Sequence, residues 1–189
     1  MGLLDVLFGR KRLKEAREEK LFALPSACVT MQTELGLKPG RTAAVCFKPL
    51  SAGDFVRAEN ELQELLDVAA QETGSKVRRK SDELGFEWLI VEDPDFEDLV
   101  TTVHMIGSEL KARGFGTQLL AAIFRFDQKD RPVYWIYGYK RGAFWPFVPG
   151  KQERERDNAE ELELKAKLEK ELPVEQDLSR WFALFDAPV

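Results

Sequence analysis

Apolar residues along this chain fall into two patterns, stripes recurring every three or four positions and short unbroken runs, and together they predict an α+β domain. One stripe, Phe55, Ala58, Leu62, Leu65, Leu66 and Ala69, predicts a helix over residues 53–71, opened by Ser51 and Asp54 at capping-box spacing and stopped by Gly74. A second helix begins after Pro94, with Asp95 as N-cap and Glu97 and Asp98 in its first turn. Its buried stripe is Phe96, Leu99, Val100, Val103, Ile106 and Leu110. A third spans residues 153–171. There Leu162, Leu164, Ala166 and Leu168 alternate like a strand, but the surrounding Glu, Lys, Leu and Ala are strong helix formers, and Pro173 ends the run. Glu161 with Lys165 and Glu163 with Lys167 have the favourable i,i+4 order, worth about 0.2–0.5 kcal/mol per pair.

β-like runs, not all of them purely apolar, lie at residues 28–33, 42–50, 76–81, 86–91, 116–126 and 132–139. They arrive as adjacent pairs, each pair followed by a helix, so the order reads as three ββα units. The units share no residues, which leaves element order as an alternative to duplication. Paired strands favour antiparallel neighbours, and the expected architecture is an antiparallel sheet with its helices on one face. A last segment, residues 177–185, puts Leu178, Trp181, Phe182 and Phe185 on one side.

With 189 residues, 44% hydrophobic and 32% charged, the chain can bury one core and is not a disordered polymer. Its net charge of −5 repels a phosphate backbone, so no nucleic-acid partner is expected. The N-terminus differs. Leu3, Leu4, Val6, Leu7 and Phe8 precede Arg10, Lys11, Arg12 and Lys14, an amphipathic segment over residues 1–20 ahead of a single domain at 21–189. It either docks on lipid or a partner helix, or packs back on the domain and frays. No apolar run approaches the roughly 20 residues that span a bilayer, so membrane contact would be peripheral. Cys28, Cys46 and His104 lack metal-ligand spacing, and with no secretory signal ahead of them the thiols are expected to stay reduced in the cytoplasm.

The block YKRGAFWPFVP, residues 139–149, reads as an aromatic loop between the last strand and the last helix. It gathers Lys140, Arg141, Phe144, Trp145 and Phe147 with no nucleophile, acid or metal ligand. Two readings stand: a docking surface built of rings and cations, or a core-lining strand with its cations at the rim. KARGFGTQLL, residues 111–120, is similar to the glycine loop with which acetyltransferases hold coenzyme A. It follows a helix instead of a strand, so Gly114 is more simply a helix cap after Lys111 and Arg113. His104 has no sequence-placed partner for base catalysis. The expectation is a protein without catalytic residues or cofactor and without a small-molecule substrate. The alternatives are a coenzyme-A-dependent acyltransferase-like enzyme and a chaperone-like module for another stress protein.

Four stretches, MGLLDVLFGRKR, LFALPSACVTMQ, YKRGAFWPFVP and RERDNAEELELKAKLEKELPVEQDLSRWFALF, resemble the phage-shock-protein-A-associated family PspAB along essentially the whole chain. The resemblance implies a cytoplasmic protein of the envelope-stress response whose partner is phage shock protein A, a coiled-coil protein that coats damaged membrane. It implies no catalytic residues. The motif positions Lys140, Arg141, Gly142, Phe144, Trp145, Pro146, Arg156, Asp157, Asn158 and Trp181 become its shared surface or fold. The expected partner-binding set is Lys140, Arg141, Phe144, Trp145, Phe147, Arg156 and Trp181, with Leu3, Leu4, Leu7, Phe8, Arg10, Lys11 and Arg12 as a membrane or partner segment.

Overall fold

The structure, a computed structural model, describes residues 20–48, 64, 67, 68, 74–129 and 131–189. Six strands form one sheet: β1 (Lys38–Phe47), β2 (Lys76–Ser81), β3 (Glu87–Glu92), β4 (Leu119–Gln128), β5 (Arg131–Gly138) and β6 (Ala143–Phe147). The order is β2-β3-β1-β4-β5-β6, with every neighbour antiparallel. The helices are α1 (Ala23–Thr33), α2 (Phe96–Ala112) and α3 (Asn158–Leu168). The expected α+β fold with an antiparallel sheet is therefore present. Of the helix expected over residues 53–71, only Glu64, Asp67 and Val68 are described, and they are helical. The segment 3–12 lies outside the described residues.

Strands β1, β3, β4, β5 and β6 carry apolar runs because both faces of the sheet are covered along them, whereas the cationic β2 has no buried residue. Alternation along β4 and β5 turns Phe124, Phe126, Trp135 and Tyr137 to one face and Ile123 and Ile136 to the other, and all six are 0–1% exposed. The first face receives α2. Phe96 packs edge-on against Phe124 and Phe126, and the stripe Leu99, Val100, Val103, Ile106 and Leu110 is buried as its spacing predicts. Asp95 caps α2 by accepting from the Glu97 and Asp98 amides. Gly114, at φ +92°, ends it: the Gly114 and Phe115 amides donate to Lys111 and Leu110 carbonyls in the paired bonds of a Schellman cap.

Two elements differ from the sequence reading. Residues 28–33 belong to helix α1, not to a strand, because Leu24, Ala27, Cys28 and Met31 recur at helical spacing and are all buried. That tertiary burial overrides the β-prone Val29 and Thr30. Pro25 is tolerated because a first-turn N–H has no intrahelical acceptor. The aromatic block is also not a loop. Residues 143–147 form β6, paired to β5 from Tyr134↔Phe147 to Gly138↔Ala143. Proline is admitted there because β6 is the last strand of the sheet. The third unit is thus three strands and a helix, and the ββα repeat holds only for β2, β3 and α2.

Candidate functional site

The region singled out by its rings is built around β6. Phe144 and Phe147 are 0% exposed and Trp145 is 7% exposed. Phe144 packs against Tyr137 at 4.9 Å between ring centroids, on the α2 face. Trp145 and Phe147 turn to the opposite face, where the C-terminal segment covers them. Phe185 lies edge-on to Phe147 at 5.0 Å, and the Trp145 indole N–H donates to the Phe182 carbonyl at 3.0 Å. Gly138 makes room for this indole: a Cβ there would sit 2.9 Å from Trp145 Cζ3. The expectation that these three rings form an exposed docking face is corrected, since in this fold they are core. Of the two sequence readings, the core-lining strand with rim cations describes the geometry.

A single segment makes this closure. After α3, residues 173–175 pass beside β6: the Phe144 amide donates to the Pro173 carbonyl and the Glu175 amide to the Phe144 carbonyl, each at 2.8 Å. Pro146, two residues on, has no N–H to offer on that side. The chain thereby caps the β6 edge and crosses to the far face, where Trp181 is buried and its indole donates to the Glu175 carbonyl at 3.0 Å.

Arg156 ties the closure to α3. Its guanidinium donates to both carboxylate oxygens of Glu161, at 3.0 and 2.8 Å, to the Trp181 carbonyl at 2.6 Å, and lies 5.6 Å over the Phe147 ring. Glu161, 2% exposed, also accepts the Val148 amide at 2.9 Å. Burial pushes the Glu161 carboxyl above its ordinary range, against the opposing pull of Arg156 and the Val148 amide. Arg156 and Trp181 are therefore internal braces. The expectation that they contact a partner is corrected for the same reason as the rings: their polar atoms are spent inside the fold. Glu161, the centre of this network, reads in sequence only as one member of an i,i+4 pair with Lys165. The second such pair does form, Lys167 to Glu163 at 2.6 Å.

What remains outside is the β5–β6 turn and the final 3₁₀ turn, Leu178–Arg180. Lys140 and Arg141 are exposed, Arg141 lying 3.5 Å from Glu175. Arg180 pairs with Asp177 at 3.0 Å. Hydrogen bonding from Ser179 holds the Asp177 carboxyl below its usual range, and the charges of Arg180 and Arg141 add to the effect. Leu178 and Phe182, which flank Arg180 in sequence, are 49% and 64% exposed. The segment 177–185 is therefore split: Trp181 is buried and Phe182 exposed, with the Phe182 amide donating back to the Arg180 carbonyl at 3.1 Å in a tight turn around Trp181. Leu178 and Phe182 carry the exposed apolar surface that the sequence reading gave to Trp145.

Other candidate chemistry is accounted for structurally. The Gly114 amide is committed to the α2 cap and cannot also cradle a phosphate. His104 is half-buried, its ring 4.6 Å from that of Phe22. Burial pushes the Cys28 thiol up, and pushes Cys46 up to about 12 with Asp82's charge adding to it, the opposite of an activated nucleophile. Among the described residues, no helix is long and apolar enough to cross a membrane.

The family described as "PspAB: PspA associated protein B" matches residues 1–189, the whole chain. Neither a curated protein nor a solved structure matches it.

Proposed function

The chain belongs to the PspA associated protein B family, and from that premise we propose that it is a non-catalytic partner protein of PspA, working in the cytoplasm within the phage-shock response. The observation that carries the reading is the rim of the β6 closure. There Leu178 and Phe182 are exposed, flanking Arg180 in sequence, while Arg141 of the β5–β6 turn pairs with Glu175 of the same closing segment. Exposed apolar residues on a segment that also presents cations fit the apolar stripe and flanking carboxylates of an amphipathic helix, the element of which a coiled-coil partner is made.

Co-purification tests it. PspA retention on the immobilised protein should fall about tenfold or more for Phe182→Asp combined with Arg141→Glu, both exposed and therefore compatible with folding. Retention equal to wild type in the folded double variant would remove this surface from the reading. Trp145→Ala is unsuitable for the purpose, because it empties core.

We further propose a peripheral membrane contact through Leu3, Leu4, Leu7 and Phe8 with Arg10, Lys11 and Arg12. The motive is sequence alone, an apolar run followed at once by cations. In flotation with anionic liposomes, deletion of residues 2–12 should abolish recovery in the lipid fraction. Equal flotation of both forms would dismiss it.

A further inference from the structure

The two ends of the sheet are treated differently. The β6 edge is closed by residues 173–175 and by Pro146, whereas β2 has no strand on its outer side among the described residues. β2 reads KVRRKS, four cations in six residues of a chain whose net charge is −5. The Asp82 amide donates to the Phe86 carbonyl at 2.9 Å, which sets the parity of the β2–β3 ladder. Lys76, Arg78 and Lys80 turn their backbone groups toward β3. Val77, Arg79 and Ser81 turn their N–H and C=O groups outward. Lys76, Arg78 and Lys80 share one face of the strand, and all three side chains are exposed. Lys76 and Lys80 make no ion pair among the described residues, and Arg78 meets only the half-exposed Glu92 at 3.3 Å.

We propose that β2 is a docking edge for an extended acidic segment of a partner protein, added as a seventh strand. The outward backbone groups of Val77, Arg79 and Ser81 supply the ladder. Carboxylates at alternate positions of the incoming strand then lie opposite Lys76, Arg78 and Lys80 on a single face. The same charges refuse a second copy of this chain: antiparallel pairing of β2 with itself, centred on Arg78, sets Arg78 against Arg78 and Lys76 against Lys80. Like charges directly opposite destabilise such a pair. The cations therefore select among possible strands and do more than discourage all of them. This inference stands apart from the PspA reading, whose surface lies at the opposite end of the sheet.

The test uses the full chain and a fluorescein-labelled peptide, Thr-Glu-Val-Glu-Val-Glu-Thr, with a peptide carrying Lys at each Glu position as control. The acidic peptide should bind and slow hydrogen exchange of the Val77, Arg79 and Ser81 amides, while the basic peptide does neither. Lys76→Glu combined with Lys80→Glu should weaken binding about tenfold or more. Val77→Pro removes one outward N–H without touching a β2–β3 bond, and should weaken binding similarly at unchanged charge. Full-strength binding to the proline variant, or peptide binding that leaves those three amides unprotected, would overturn strand addition. Exchange on the wild-type protein decides the matter even where a variant folds poorly.

Discussion

Arg156 places three of its donors on two acceptor groups, the carboxylate of the buried Glu161 and the carbonyl of the buried Trp181, so its loss leaves both short of a partner. Arg156→Ala leaves the Glu161 carboxylate buried with only the Val148 amide, and frees the Trp181 carbonyl from its partner. Breaking a buried pair from one side costs about 3–5 kcal/mol. The loss should depend on pH in a definite direction. Burial already raises the Glu161 carboxyl, and removing the arginine raises it further, so the penalty on its charged form applies fully above the folded-state value and is relieved as pH falls through it. Urea unfolding should therefore show a larger gap between variant and wild type at pH 8 than at pH 5. An equal gap at both would mean that Glu161 is not the group left uncompensated. Sequence gives little warning of this residue pair. Arg156 and Glu161 are five apart, outside the three-and-four spacing that marks helix neighbours, and they meet only because Arg156 precedes the Asp157 N-cap of α3.

Among the elements, the C-terminal segment decides whether the aromatic block is core or surface. Ending the chain after Leu172 would strip the Phe144 backbone groups of their partners and uncover Trp145 and Phe147. We expect that truncation to shift tryptophan emission to the red and to self-associate through the reopened β6 edge, as light scattering would show. A monomeric truncation with native emission would contradict this role. Elements with a strong periodicity or a capping signature were legible before any coordinates: α2 begins and ends where Asp95 and Gly114 predict, and residues 76–81 form β2 as expected. The failures both arise from tertiary context that local sequence does not show. Residues 28–33 look β-prone locally but become helix because Leu24, Ala27 and Met31 are drawn into the core. Residues 143–147 look like a loop because of Pro146, yet pair because a sheet end accepts proline.

At the scale of the whole molecule, the sheet has one sealed end and one cationic end, and the proposed partner contacts lie at both. The composition allowed one core, but it could not say which aromatics were inside. Tyr134, Trp135, Phe147 and Phe182 look alike as letters, and only the register of β5 with β6 and the path of the last residues separate them. The path itself has a consequence for biosynthesis. Residues 173–185 leave the ribosome after β6, so for the interval of their synthesis a nascent chain carries the indole of Trp145 and the ring of Phe147 without their cover. This end of the sheet can close only once residues 173–185 have emerged, and a chain held short of that point with β6 already outside would display a sticky, half-finished sheet to whatever chaperone waits at the exit.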